Sequence, residues 1–249
     1  MQLDFIKLSQ KEKYFAEQFN LWNEDLSAPA KIKAKPSFYK VENFFQSINN
    51  QEVFDYKKYW NSVAPKDYSE NFLRWLFAFM SVHTSWESNI SGYKAIKDFS
   101  SWANSPEILK KKIKKSRVGL HNNRTNYISA FYKDYWANPD KYLKNNGENW
   151  TVYRNRLKNE ILGLGPAKTS FGIEMIYPNE CEVVCMDTHL FKLYGLDQSR
   201  DLRQYEVIED HWITMCKMYN VPSYIARCLF WDKNQNQSDS RYWSFVLES

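Results

Sequence analysis

The sequence predicts a mostly α-helical protein, and three observations carry that prediction. Its 249 residues include only 7 Gly and 8 Pro, too few for the frequent turns of an all-β chain. Apolar residues recur at helical spacing, most plainly Phe72, Trp75, Leu76, Phe79, Met80 and His83 at i, i+3, i+4, i+7, i+8 and i+11. The longest apolar run, residues 71–82, contains Arg74 and falls well short of the ~20 residues that span a bilayer, so it reads as a buried helix. With 43% hydrophobic residues the chain can build a real core, which excludes a disordered or fibrous protein.

Taken in order, the first 70 residues read as short amphipathic helices broken at Ser27-Ala-Pro-Ala30, Lys35-Pro36 and Ala64-Pro-Lys-Asp67. A helix from Tyr68 to Thr84 presents the apolar stripe to the core, with His83 at its far end. Helices follow over 87–102, 106–115, 123–136 and 151–161, separated by Asn-Ser-Pro, Arg-Val-Gly-Leu and Asn-Asn-Gly-Glu. Tyr153, Leu157 and Ile161 mark one face of the last of these, and Gly163 and Gly165 permit a tight hairpin that side chains would block. Pro166 suits the first turn of a second helix, whose leading backbone amides are placed to hold an anion. Val184 to Gly195 is a short extended run entering a helix, with Asp187 as N-cap and Gly195 as stop. Residues 201–231 make two more helices, followed by a polar segment, 232–240, and an aromatic tail, 241–246.

The balance of 34 Lys+Arg against 29 Asp+Glu gives a mildly basic net charge of +5. Twelve basic and four acidic residues fall between Lys94 and Lys144, a local excess larger than that of the whole chain. Such a run suits a nucleic-acid groove and equally a solvated helix face. The aromatic content of 17% divides in the same way, between rings that stack on bases and rings that fill a core. Cys181, Cys185, Cys216 and Cys228 show no paired spacing and read as free thiols. The N-terminal Met-Gln-Leu-Asp-Phe-Ile-Lys lacks the features of a secretory signal, so an intracellular location, in cytoplasm, nucleoid or nucleus, is expected.

Four motifs in register then carry a resemblance. Gly163-Leu-Gly-Pro-Ala-Lys-Thr-Ser170 resembles the Gly-x-Gly-x-Lys-Thr-Ala hairpin of the helix-hairpin-helix DNA glycosylases, the endonuclease III-like and 8-oxoguanine enzymes. Met186-Asp-Thr-His189 is similar to that family's Val-Asp-Thr-His, and Asp187 follows Lys168 by nineteen residues, within the family's range. Ala78-Phe-Met-Ser-Val-His-Thr-Ser85 resembles its Leu-Ser-x-Gln-x-Thr helix end, and Val118-Gly-Leu-His-Asn-Asn-Arg124 its Gly-Leu-Tyr-x-x-Lys-Ala loop. The resemblance spans residues 70–200.

It implies an all-α, two-lobed helix-hairpin-helix DNA glycosylase fold with the DNA cleft between the lobes. One lobe would comprise residues 1–67 and 179–249, the other residues 68–178, with the helix-hairpin-helix at 151–176. The implied activity is flipping out and excising a damaged or modified base from double-stranded DNA. Asp187 would stabilise the charge that develops on the sugar, and Lys168 would form a Schiff base that confers AP-lyase activity. Gly163, Leu164, Gly165 and Ala167 would contact the DNA backbone, His83, His121 and Asn122 would fill the gap left by the flipped base, and Arg124 would also contact DNA. The chain departs from the family in having two residues, Pro166 and Ala167, between the second hairpin glycine and the lysine. Without an inserted hairpin residue, Ala167 would take the nucleophile's place and Lys168 would be turned about 100° away.

Iron-sulfur members carry four closely spaced cysteines near the C-terminus, where this chain has only Cys216 and Cys228, so no cluster, and no other protein-bound metal, is expected. A monovalent cation at the hairpin backbone is the one ion the resemblance allows. Ala78 stands where adenine-specific members have a glutamate, which disfavours adenine and leaves oxidised purines, damaged pyrimidines or a hypermodified base. A monomer with no membrane partner is expected. Two other classes stay open: a transferase on the same scaffold, similar to thymine-modifying pyrophosphorylases, and a non-catalytic helix-hairpin-helix DNA-binding module.

Overall fold

The computed structural model describes residues 36–235 and 240–248; the break expected at 27–30 lies outside them. The described residues are helical, without strands. The helices are α1 (Phe38–Gln46), α2 (Asn50–Ser62), α3 (Tyr68–Met80), α4 (Trp86–Ile96), α5 (Pro106–Lys115), α6 (His121–Ala137), α7 (Trp150–Glu160), α8 (Pro166–Ile176), α9 (Thr188–Leu193), α10 (Tyr205–Tyr219), α11 (Ser223–Gln235) and α12 (Trp243–Glu248). Five of the starts are set by side-chain chemistry. Asp67, Ser85, Ser105, Asn149 and Asp187 each occupy a cap and accept hydrogen bonds from the amides that follow. The helix expected to reach Thr84 stops at Met80, where the Ser81 and Thr84 hydroxyls bond back to the Ala78 and Met80 carbonyls and His83 turns left-handed. The one expected over 87–102 ends at Ile96, and a 3-10 turn, Phe99–Ser101, completes it.

The chain divides into two units. The larger comprises, among those described, residues 50–185, 222–235 and 240–248, built around α3, which packs against α4, α6 and α8. The expected apolar stripe is buried, and so are Arg74, Phe77 and Ala78 on the other sides of α3, as befits a central helix. Arg74 donates to the Val63 carbonyl and lies 3.9 Å from the centre of the Trp243 ring; burial lowers its pKa to about 10, so it remains charged at neutral pH. Helix α8 reaches α3 through Gly172, where a Cβ would come within 2.2 Å of the Trp75 ring.

The aromatic tail belongs to this core. Trp243 packs edge-on to Phe77 at 5.5 Å, and Trp60 of α2 lies 4.8 Å from Tyr224. Tyr56 donates to Asp232. These contacts correct the expected division at residues 67 and 179: α2, α11 and residues 240–248 group with the hairpin unit because their aromatic faces are buried there. Most of the aromatic excess is likewise core, Trp60, Trp75, Trp212 and Trp243 being fully buried.

The smaller unit, residues 36–49 and 186–221 among those described, packs α1 on α10. Phe44 stacks on Trp212 at 5.6 Å and Phe45 meets the same ring edge-on. Tyr194 donates to the Ile208 carbonyl and lies 2.9 Å from His211 Nδ1. Burial lowers the His211 pKa to about 3, so that imidazole is neutral. All four cysteines are buried and unbridged. No helix among the described residues is long and apolar enough to cross a membrane.

Candidate functional site

The hairpin follows α7 directly. Gly163 has φ +90°, and a Cβ there would come within 2.3 Å of the Tyr127 ring of α6, so this turn requires glycine. Helix α8 then starts on Gly165 with Pro166 in its first turn and no capping side chain, unlike α3, α4, α5, α7 and α9. The Ala167 and Lys168 amides have no acceptor among the described residues, and a Cβ at Gly165 would meet nothing within 4 Å. The result is an exposed helix start with free amides, suited to an anion. Ala167 and Lys168 are half-buried, and the Lys168 amine lies 5.6 Å from the centre of the Phe171 ring, one turn along the same helix.

Two loops of the same unit carry the residues expected to enter the duplex. His83, expected at the end of the buried stripe, is instead exposed, with φ +49°. At the second, His121 and Asn122 open α6 and lie in its first turn, Asn122 exposed and His121 half-buried. Sequence reasoning passed over Leu120, which is 48% exposed and left-handed at φ +59°. The signal was a single large apolar residue in an otherwise polar stretch, Gly119 to Asn123.

Arg124 needs correction as a DNA contact. It is only 3% exposed, and its guanidinium donates to the Gly119 carbonyl at 2.9 Å, to Val82 at 2.5 Å and to Phe79. One buried cation thus ties the His83 turn to the Leu120 turn. Burial lowers its pKa to about 10, and at neutral pH it stays charged. Four exposed basic residues of the Lys94–Lys144 stretch lie on α5 and just beyond it. There Lys111, Lys114, Lys115 and Arg117 are exposed, with no carboxylate within 4 Å among the described residues.

Asp187 lies in the smaller unit, as the N-cap of α9. Its Oδ1 accepts from the His189 amide at 2.9 Å and the Leu190 amide at 3.0 Å, which fixes the carboxylate direction. Just upstream, in the larger unit, Glu174 of α8 accepts from the Cys185 amide at 3.2 Å and from Arg227 Nε at 3.0 Å. Arg227 Nη2 lies 2.8 Å from the other Glu174 oxygen, with both side chains almost wholly buried. The Cys185 hydrogen bond ties the end of this unit's chain to α8, and Arg227 holds the carboxylate that accepts it.

No family model and no curated protein sequence matches the chain. Solved structures do. The 8-oxoguanine DNA glycosylase of Methanocaldococcus jannaschii aligns with TM-score 0.60 at 18% identity, over 81% of this chain and 95% of that one. A second structure, that organism's 8-oxoguanine glycosylase/lyase with a 15mer DNA containing 8-oxoguanine, gives 0.62 at 18%, over 80% and 96%. The Thermotoga maritima 8-oxoguanine DNA glycosylase gives 0.63 at 13%, over 82% and 100%. The chain has the helix-hairpin-helix DNA glycosylase fold. At these identities what is shared is the fold, and it spans nearly the whole of each neighbour. Within this fold the hairpin is residues 161–165, between α7 and α8, where the sequence motifs expected it.

Proposed function

We propose that the protein is a DNA glycosylase that excises a damaged or modified base from duplex DNA and carries AP-lyase activity through Lys168. The observation that carries the reading is Asp187, a carboxylate held by two backbone amides in a chain with this fold. Breaking an N-glycosidic bond builds positive charge on the deoxyribose, and a carboxylate fixed in advance stabilises that charge without reorganisation.

The other parts have corresponding roles. Gly163, Leu164, Gly165 and Ala167 present backbone to a phosphate. Unbonded carbonyls at Leu162, Gly163 and Leu164 suit a monovalent cation, which would add positive charge beside that phosphate. His83, Leu120, His121 and Asn122 fill the space vacated by the flipped base, offsetting an unstacking cost of a few kcal/mol. The Lys168 amine, neutral at the moment of attack, bonds to C1′ as the base leaves with the bonding electrons and takes up a proton. The nitrogen then loses a proton and the sugar ring opens to a Schiff base. Removal of a C2′ proton expels the 3′-phosphate and cuts the strand.

The test is a duplex carrying one modified base, beginning with 8-oxoguanine because the solved neighbours bear that name, with and without borohydride. Free base together with a covalent adduct that Lys168→Ala abolishes is the expected result. Free base without an adduct refutes the lyase assignment and places water in the nucleophile's role. A changed nucleoside with its glycosidic bond intact identifies a transferase, and no change across a panel of modified bases identifies a binding module.

A further inference from the structure

Between α9 and α10 the chain doubles back. The Leu196 amide bonds to the Phe191 carbonyl at 2.8 Å, closing the end of α9. The next turn is braced by its own carboxylates. Asp197 Oδ1 accepts from the Ser199 amide at 2.9 Å and the Arg200 amide at 3.3 Å, and the Asp197 amide donates to Asp201 at 2.8 Å. The hydrogen bonds from Ser199 hold the Asp197 carboxyl below its ordinary range. This braced turn presents one side chain back toward the start of α9, that of Gln198.

Resting on the glycosylase reading, we propose that Gln198 is a positioning residue for Asp187. Its Oε1 accepts from the Thr188 hydroxyl at 2.8 Å, and its Nε2 donates to the Met186 carbonyl at 3.0 Å. One planar amide therefore grips the residue on each side of Asp187. The Met186 amide is held as well, donating to the Tyr205 hydroxyl at 3.3 Å. With the peptide fixed on both sides and Oδ1 fixed by the His189 and Leu190 amides, the carboxylate has a defined direction before DNA arrives. A group that stabilises developing charge depends on such preorganisation.

The residue type is specified by the two contacts. Glutamine supplies an acceptor and a donor at once, and the Met186 carbonyl selects the amide orientation. An ionised glutamate would turn an acceptor toward that carbonyl and add a second negative charge beside Asp187. Methionine matches the shape and makes neither bond. Gln198 is only half-buried, so its loss perturbs folding little.

The test compares wild type, Gln198→Met, Gln198→Glu and Asp187→Asn for single-turnover base release, lesion-DNA affinity and hydrogen exchange at the His189 and Leu190 amides. Gln198→Met is expected to slow release by about 10- to 100-fold with affinity held within about twofold. It should also speed exchange at both amides and add nothing further in the Asp187→Asn background. Gln198→Glu should be at least as slow as Gln198→Met. Unchanged release, an equal loss in the Asp187→Asn background, or a parallel loss of affinity would overturn the proposal. If wild type releases no base at all, the glycosylase reading fails. The exchange measurement still decides whether Gln198 holds the cap, and unaltered exchange refutes it.

Discussion

Replacing Arg124 with methionine separates two roles for this residue, phosphate contact and internal tie. Its guanidinium donates to three carbonyls, Phe79, Val82 and Gly119, and hydrogen bonds from a charged donor contribute about 1.5–3 kcal/mol each. The sum is an overestimate, because burying the guanidinium itself costs several kcal/mol that the variant no longer bears. Methionine fills the volume but leaves the carbonyls without a donor, so a net loss of about 3–4 kcal/mol is expected. For a chain of this size that lowers the melting temperature by about 6–16 °C. The functional effect should exceed the loss of folded protein, since the His83 and Leu120 turns are no longer held together. At a temperature where the variant is folded, a 2-aminopurine reporter beside the lesion should show weakened base flipping, while non-specific affinity through the hairpin stays near that of wild type. A melting shift under about 2 °C, or weakened DNA affinity with normal flipping at saturation, would refute the internal tie and restore Arg124 as a phosphate ligand.

Arg227→Met leaves the Glu174 carboxylate buried without its cation and should cost about 3–5 kcal/mol in urea unfolding. Adding Glu174→Gln removes the stranded charge and keeps an acceptor for Cys185, so it should recover more than half of that loss; a double variant no better than the single one would contradict the pairing. His211 has a folded pKa near 3, below its ordinary 6.5. Between those values the unfolded chain binds a proton that the folded chain refuses, so the His211 contribution falls as pH drops through that window, by up to ~1.4 kcal/mol per unit. His211→Phe should flatten this part of the stability profile, and an unchanged profile would remove His211 as its source. Converting Lys111, Lys114 and Lys115 to glutamine should reduce the slope of log affinity against log salt by roughly 2–3, at about 0.9 per lost phosphate contact; an unaltered slope would make α5 a solvated face.

What the sequence made legible is mostly local. Pro166 and Asp187 sit at helix starts because a missing N–H and a short carboxylate suit those positions wherever the chain runs. The stripe from Phe72 to Met80 marks a buried helix by spacing alone. Contacts between distant residues were not legible. Arg124 looks like a phosphate ligand until the Phe79 and Val82 carbonyls, more than forty positions away, are found to take its donors. The aromatic tail gives no hint that Trp243 packs on α3, and this contact helps assign the tail to the hairpin unit. Gln198 is one polar residue in a polar turn, and its significance lies in reaching back to Met186 and Thr188.

The most direct test of the central claim is single-turnover base release by Asp187→Asn on lesion-containing duplex, with affinity measured on the same DNA. Asparagine caps a helix about as well as aspartate, so α9 and the DNA-binding surfaces should be preserved while the negative charge is lost. Release is expected to slow at least about 100-fold, with affinity within about twofold of wild type. Release at the wild-type rate would contradict the claim and leave Asp187 as a helix cap alone.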